Sequence, residues 1–317
     1  MILSLIVALY AAAVALVFAP ALRRAQWVER APGYGLWVWT ALSWSLVAST
    51  MLAVVNLCLG VLASRAPLQA SLAVCLQALT GQAGLACAVL AGLSLLGLVG
   101  GAGRLLLVLA RKSWHAHQVR RQQVTALHLL GRTDRELGVV VVDDHRPAAY
   151  CLPGRARRIV LTTAAYERLT RAQLQAVLAH EHAHLDGQHA LLRTLGTLPS
   201  RLLPGLPAAR HAAEATHRLL EYRADDVACR RTHRLALAEA LLTIGTPASD
   251  PALNAAGTAT AARITRLLAT PGATGRRAGV IVAAATAVLS GPVLLTTTAA
   301  ALAGLGSACP FVSVLPC

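Results

Sequence analysis

The sequence predicts a multi-span α-helical membrane protein that carries one cytoplasmic α+β domain. Hydrophobic residues make up 56% of the 317 residues, whereas about 45–50% is usual for soluble proteins. The mean hydropathy is correspondingly high, at +0.57. The apolar residues are concentrated in four runs, and most charged residues lie between the third run and the fourth. Membrane spans and one polar domain account for this division.

Each of the four apolar runs is about 20 residues long or longer, which is enough to cross a bilayer. The runs are residues 2–22, 36–63, 83–110 (apolar apart from Arg104) and 278–303. Trp37, Trp39 and Trp44 lie near one end of the second run, where an aromatic belt would place them. A buried core helix could explain any single run, but four together predict transmembrane helices.

The distribution of arginine predicts how these spans are oriented. No basic residue precedes the first run, while Arg23 and Arg24 follow it directly, which is the reverse of a secretory signal peptide. The loop at about 64–82 contains only Arg65, and the tail at 304–317 contains no charged side chain. The positive-inside rule therefore places 111–277 in the cytoplasm and the tail outside the cell. The predicted location is the cytoplasmic membrane of a bacterium.

The polar region 111–277 is strongly basic. It holds 24 of the 29 basic residues and 13 of the 14 acidic ones, a net charge of 24 − 13 = +11. Nucleic-acid binding is one explanation of this balance, but no nucleic-acid-binding motif accompanies it. Attraction to the anionic lipids of the inner leaflet is the simpler explanation. We therefore expect a lipid bilayer, and no nucleic acid, as a partner.

An HExxH sequence at 180–184 is the first candidate for chemistry. Thr170 and Gln173 have the spacing of a capping box and predict a helix that begins ten residues before His180. On that helix His180 and His184 share one face, so both imidazoles can reach one metal ion. Glu181 projects from nearly the same side and can hold a water molecule for attack. HExxH also occurs by chance in helices, so the motif needs support.

A second pair of residues supplies that support. Glu221 and Asp225 are also four residues apart on a predicted helix, at about 209–232. A hydrolytic zinc site needs a third protein ligand, and Glu221 suits this role. Asp225 suits the role of a carboxylate that orients a ligand imidazole. A solvated acidic face is the alternative, but acidic residues are scarce in this chain. Arg223, His189 and His217 are weak candidates for stabilising the oxyanion.

These motifs together resemble the membrane-embedded zinc peptidases of the BlaR/MecR type, whose relatives are the HtpX-type and CAAX-prenyl-type proteases. The resemblance rests on the sequences at 150–154 and 158–163, the HExxH helix, and Glu221-x-x-Ala-Asp225. It is strong over about 145–230, and the membrane layout extends it to most of the chain. It implies a gluzincin-like fold and one Zn²⁺ per chain, bound by His180, His184 and Glu221, with Glu181 as the catalytic base.

One feature of those receptors is not found in this sequence. BlaR/MecR proteins carry a large extracellular penicillin-binding sensor domain after the last span, whereas 304–317 is a short tail. The role in β-lactam sensing is therefore not carried over. We expect any input to arrive through the spans, through a partner membrane protein, or not at all. A partner membrane protein and a homo-oligomer are the candidate assemblies.

The rest of the cytoplasmic domain is predicted from local patterns. A β-branched run predicts a strand at 139–142. Two more strands are predicted at 148–152 and 158–162, separated by the Pro153-Gly154 turn. In the resembling enzymes an edge strand beside the zinc helix binds the substrate backbone, and 157–163 is our candidate for it. Prolines between the two motif helices predict a lid or a connector, and residues 245–262, rich in Gly, Ala, Thr and Pro, predict a linker.

The predicted function is that of a membrane-bound zinc endopeptidase. It would hydrolyse peptide bonds of a protein or peptide substrate at the cytoplasmic side, in regulated proteolysis and signalling or in membrane-protein quality control. The alternative is a catalytically silent membrane signalling or scaffold protein with a structural zinc site. Glu181 argues against this alternative, because a structural site requires no base.

Overall fold

The computed structural model describes residues 2–63, 131–153, 157–245 and 254–269, and parts of 92–118. This part of the chain is mostly helical and contains one small mixed sheet. The helices are α1 (Ile2–Ala13), a π-helical turn (Val14–Phe18), α2 (Ala19–Arg24), α3 (Trp27–Arg30), α4 (Pro32–Ala63), α5 (Thr163–Arg168), α6 (Arg171–Asp186), α7 (His189–Leu202), α8 (Pro207–Ala228), α9 (Arg234–Ile244) and α10 (Asn254–Leu268). The strands are β1 (Gly131–Asp134), β2 (Val139–Val142), β3 (Ala149–Leu152) and β4 (Arg158–Thr162).

The four strands pair in the order β1-β2-β4-β3. The β2–β4 pair is parallel, and the two outer strands are antiparallel to their neighbours. The three predicted strands are confirmed, while β1 was not predicted. The prediction that 157–163 forms a substrate-binding edge is wrong, because β4 lies between β2 and β3 and both of its sides are paired. The edge strand beside α6 is β3.

The sheet supports α6 through a shared apolar core. Ile159 and Leu161 of β4 are buried against Leu174 and Val177 of α6. The start of α6 is fixed locally by the predicted capping box, which is confirmed. The Thr170 hydroxyl accepts a hydrogen bond from the backbone N–H of Gln173 (3.3 Å), and the Gln173 side chain accepts one from the N–H of Thr170 (3.0 Å). The capping box and the core under the sheet together position the helix that carries the HExxH sequence.

Two of the expected connectors are helical instead. The segment after the HExxH helix forms α7, with Pro199 inside the helix. The helix α10 begins at Asn254, so much of the predicted linker at 245–262 is wrong. The helix that carries Glu221 spans Pro207–Ala228, which is close to the predicted 209–232. Proline at the first position of α8 lacks only an N–H that has no partner within the helix.

Two N-terminal helical segments, Leu5–Arg24 and Pro32–Val55, are long and apolar enough to cross a bilayer. Buried core helices and signal sequences satisfy the same test, so the membrane assignment of the first two runs stays a prediction. One side of α4 packs against α8, where Leu42 and Leu46 meet Ala215 and Leu219 in a common buried cluster. The N-terminal helices and the helix that carries Glu221 therefore share one core.

The other membrane predictions fall largely outside the described residues. Residues 99–111, near the end of the predicted third span, are helical. Most of 83–98, the fourth span at 278–303 and the tail at 304–317 lie outside the described residues.

Candidate active site

The helices α6 and α8 bring the three predicted metal ligands together. Nε2 of His180 and Nε2 of His184 are 3.0 Å apart. The two carboxylate oxygens of Glu221 lie 3.5 Å from Nε2 of His180 and 3.6 Å from Nε2 of His184. Each residue offers one ligand atom, and these three atoms lie within 4.8 Å of one another.

This spacing suits a small tetrahedral cation. Zinc binds histidine nitrogen and carboxylate oxygen at about 2.0–2.2 Å, so tetrahedral geometry places its ligand atoms about 3.3 Å apart. The observed separations of 3.0, 3.5 and 3.6 Å lie on either side of that value. Two imidazoles and one carboxylate are also the donor set of hydrolytic zinc sites, which keep a fourth position open. The three residues therefore fit a catalytic zinc ion.

Asp225 lies directly behind His180 and is completely buried. Its carboxylate is 3.0 Å from Nδ1 of His180, so the opposite ring nitrogen, Nε2, is directed towards Glu221. Arg263 of α10 donates two hydrogen bonds to the same carboxylate, at 2.6 and 2.9 Å. It also lies 3.1 Å from Glu221. The guanidinium therefore joins the two carboxylates of α8, and it compensates for the burial of both.

His189 occupies the equivalent place behind His184. Its Nδ1 is 2.8 Å from Nδ1 of His184, and its side chain is buried. Burial, together with the nearby His184, lowers the pKa of His189 to about 3. The ring is therefore neutral at physiological pH, and it can hold the imidazole of His184 through a hydrogen bond without adding charge to the site.

The carboxylates of α8 remain ionised despite their burial. Burial raises the pKa of Asp225, but hydrogen bonds from His180 and Arg263 outweigh it, and the net pKa lies below the ordinary value. The pKa of Glu221 is lowered in the same way, since hydrogen bonds from His180 and His184 outweigh the effect of burial. For His180, burial lowers the pKa, yet Asp225 and Glu221 raise it to about 9. Both carboxylates of α8 therefore carry their negative charge beside the imidazole of His180.

Glu181 faces a cavity of about 720 Å³ between α6, α7, α9 and the edge strand β3. It is 8% exposed. Across the cavity, burial and the nearby Glu181 raise the pKa of the Cys151 thiol to about 12. Cys151 is therefore a neutral neighbour, and it does not compete with Glu181 for protons at physiological pH.

The remaining histidines and arginines named from the sequence are distributed around the site. His182 is exposed, and its Nδ1 contacts the carbonyl of Leu178 at 2.7 Å. Of the three candidates for oxyanion stabilisation, His189 lines the cavity, whereas Arg223 and His217 lie outside its lining. His189 contacts His184 through its Nδ1 atom.

Sequence reasoning missed the two arginines that line the cavity and contact Glu221. Arg263 lies 38 residues beyond Asp225, in a segment without charged neighbours before it. Arg193 of α7 approaches Glu221 to 3.9 Å and lines the same cavity. Arg263 and Arg266 in an alanine-rich stretch were the available signal for this helix, and their meaning depends on tertiary contacts that spacing does not reveal.

The fold and the site define a class of protein. A HExxH helix, a downstream Glu-x-x-x-Asp helix and a supporting mixed sheet with an edge strand beside the cavity form a metallopeptidase site. Residues 113–271, half of the chain, match the model of peptidase family M48. The chain belongs to peptidase family M48 and is a metallopeptidase. No curated protein and no solved structure matches it.

Proposed function

We propose that this protein is a membrane-bound zinc endopeptidase that cleaves a protein substrate at the cytoplasmic side of the membrane. The observation that carries the proposal is the convergence of His180, His184 and Glu221 beside Glu181. M48 enzymes are zinc metallopeptidases, which agrees with the donor set. Membership in the family gives the reaction class, and the arrangement of the side chains supports the role proposed for each residue.

His180, His184 and Glu221 would hold the zinc ion. When bound, zinc supplies Lewis acidity, which polarises the scissile carbonyl and brings the pKa of water towards 7. The negative charge of Glu221 and the orientation of both imidazoles are contributions of this chain. Asp225 keeps His180 turned so that Nε2 faces the ligand cluster, and Arg263 keeps Asp225 and Glu221 in place.

The pairing of His184 with His189 sets which nitrogen of His184 is protonated. Ligation requires a lone pair on Nε2, so neutral His184 carries its proton on Nδ1. That proton lies on the side of His189, whose Nδ1 accepts the hydrogen bond at 2.8 Å. His189 then carries its own proton on Nε2. It acts as a positioning residue, in the way that Asp225 does for His180.

Glu181 is the proposed general base. It takes a proton from the attacking water and passes it to the amine of the leaving peptide. Its carboxylate is turned into the cavity that the substrate would occupy, one residue along the helix from His180. A purely structural metal site would not need an acidic side chain there.

The edge strand β3 is the proposed support for the substrate backbone. It pairs with β4 on one side only within the described residues, and Ala149, Tyr150 and Cys151 line the cavity. A peptide laid along this edge would hydrogen-bond as an added strand next to the HExxH helix. This role replaces the one expected of 157–163.

The membrane setting and biological role are parts of the same proposal. Two N-terminal helices of suitable length and the arginine pattern support an integral membrane protein with 111–277 in the cytoplasm. Regulated proteolysis and quality control of membrane proteins both agree with this location. The resemblance to BlaR/MecR peptidases favours regulated proteolysis.

Cleavage of an unfolded protein by the purified chain tests the proposal. The full chain in detergent with zinc should degrade β-casein, and Glu181→Gln should reduce the rate by about 10²–10⁴-fold. Glutamine preserves the size of the side chain and removes the base, so zinc content should stay unchanged. A Glu181→Gln rate within about threefold of wild type would contradict the mechanism and favour the silent scaffold.

A further inference from the structure

Hydrolysis of a peptide bond places a full negative charge on the former carbonyl oxygen of the substrate. The oxygen of water bonds to the carbonyl carbon, the electron pair of the C=O double bond moves onto its oxygen, and Glu181 takes the proton of water. When the C–N bond breaks, the C=O double bond re-forms and the proton passes to the leaving amine. A positively charged donor directed at this oxygen would lower the barrier of the reaction.

Three arginines line the cavity in the part of the chain that the structure describes, and two of them are held closely by carboxylates. Arg263 donates to Asp225 at 2.6 Å, and its side chain is only 13% exposed. Arg157 forms an ion pair of 2.8 Å with the last residue of α6. The guanidinium of Arg193 is 3.9 Å from Glu221, which is beyond hydrogen-bonding distance. Arg193 is therefore the one of these three whose donors are least committed.

Arg193 reaches the cavity from α7, the helix that follows the HExxH helix. Its Nη2 is 3.9 Å from Oε1 of Glu221, and the same oxygen lies 3.6 Å from Nε2 of His184. The guanidinium thus lies beside the proposed ligand cluster, on the side of α7. The side chain is 45% exposed, so it has room to turn towards a peptide bound in the cavity.

The edge strand β3 is also close to this guanidinium. Burial and the nearby Glu181 raise the pKa of the Cys151 thiol to about 12, and the positive charge of Arg193 opposes this rise. A peptide laid along β3 would therefore pass Cys151 with both Glu181 and Arg193 near its backbone. The base and a positive charge would then act on the same stretch of substrate.

We propose that Arg193 is a catalytic residue that donates hydrogen bonds to the oxyanion formed during peptide-bond hydrolysis. The inference rests on the proposed peptidase function and adds a residue to the same site. A guanidinium stays charged at physiological pH and offers five N–H donors. The carbonyl oxygen carries little charge before the attack, so the contact strengthens in the transition state and contributes to kcat more than to KM.

The test compares Arg193→Met with Arg201→Met in the full chain, in detergent with saturating zinc. Methionine keeps much of the unbranched stem of arginine and removes the charge. Arg201 is an exposed arginine of the same helix that lies outside the cavity lining, so its variant is the matched control. The substrate is a synthetic peptide around a β-casein bond that the wild type cleaves, and it contains no acidic residue. Arg193→Met should lower kcat by about 10²–10³-fold with KM little changed, while Arg201→Met should leave both unchanged.

A phosphinic analogue of that peptide gives a second readout, which does not depend on turnover. Its tetrahedral, negatively charged group mimics the oxyanion, so Arg193→Met should weaken its binding by about the same factor as kcat. The cleavable peptide, bound to Glu181→Gln with and without Arg193→Met, should show equal affinity. The zinc content of both arginine variants should equal that of the wild type.

The outcomes separate this inference from the function on which it rests. A kcat of Arg193→Met within about threefold of wild type overturns the inference, and so does an equal loss in Arg201→Met. A rise in KM alone would make Arg193 a residue of substrate binding, and loss of zinc would make it a support of Glu221; either result overturns the proposed role. Absence of any cleavage that depends on Glu181 overturns the proposed function, and the inference with it.

Discussion

Two carboxylates of α8 have different tasks although they lie only four residues apart. Glu221 is partly exposed and offers an oxygen to each imidazole. Asp225 is completely buried and contacts Nδ1 of His180, the nitrogen that faces away from Glu221, together with Arg263. Helical spacing places both carboxylates on one face of α8. Nε2 of His180 faces Glu221, the candidate ligand, and Nδ1 faces Asp225, which orients the ring.

Asp225→Asn tests the orienting role. Asparagine keeps the shape but loses the negative charge that holds both His180 and Arg263, so zinc affinity should fall by about 10–100-fold. Competition with a chromophoric chelator measures the affinity. Asp226→Asn is the matched control, because Asp226 pairs with Arg266, at 2.8 Å, instead of His180. Equal affinities in wild type and Asp225→Asn would show that the contact has no part in binding.

At the scale of elements, the sequence predicted the helices and strands whose own residues favour that structure. The capping box at Thr170 and the β-branched runs at 139–142 and 158–162 are examples. The strand β1, with the sequence Gly-Arg-Thr-Asp, has no such pattern and is held by backbone pairing with β2. The helix α10 lies in an Ala- and Thr-rich segment, and tertiary packing on α9 favours it over a linker.

Contacts between residues far apart in sequence could not be predicted, because local patterns do not show which elements pack together. Arg263 binds Asp225, and Arg266 on the next turn donates to the backbone carbonyl of Glu29 and to Asp226. These partners lie between 38 and 237 residues away in sequence. Hydropathy reports the length of an apolar helix and gives no information about which helix it packs against.

The helices α7 and α8 approach each other closely at Gly196, where there is no room for a Cβ. A Cβ at Gly196 would press into the side chain of Thr216, closer than real Cβ atoms come to other atoms. Gly196→Ala should therefore lower the free energy of unfolding by about 1–3 kcal/mol through overpacking. Thermal unfolding followed by tryptophan fluorescence should show a lower Tm. Gly33→Ala in α4, where a Cβ meets nothing within 4 Å, is the control. A Gly196→Ala Tm equal to that of wild type would contradict the close packing.

At the scale of the whole molecule, the N-terminal helices and the peptidase helices form one unit. Glu29 of α3 pairs with Arg218 of α8 at 3.3 Å, and Trp44 of α4 donates to the carbonyl of Leu195 in α7. If the N-terminal helices cross the membrane, these contacts hold the site close to the surface of the bilayer. The basic character of 111–277 would then favour the anionic inner leaflet.

The location of the peptidase domain is a prediction that reporter fusions test. A cytoplasm-active reporter fused after residue 130 should be active, because the arginine asymmetry places 111–277 inside. After Cys317, a reporter that works only outside the cytoplasm should be active, and one that works only in the cytoplasm should be inactive. The two fusions control for each other's expression. The reversed pattern would place the site outside and make envelope proteins its substrates.

The central claim is that His180, His184 and Glu221 form one metal site, and metal analysis of the purified chain tests it most directly. Wild-type protein should contain about one zinc per chain. The double variant His180→Ala/His184→Ala should contain almost none, while His182→Ala, which changes an exposed histidine of the same helix, should keep its zinc. Full zinc occupancy in the double variant would contradict the claim.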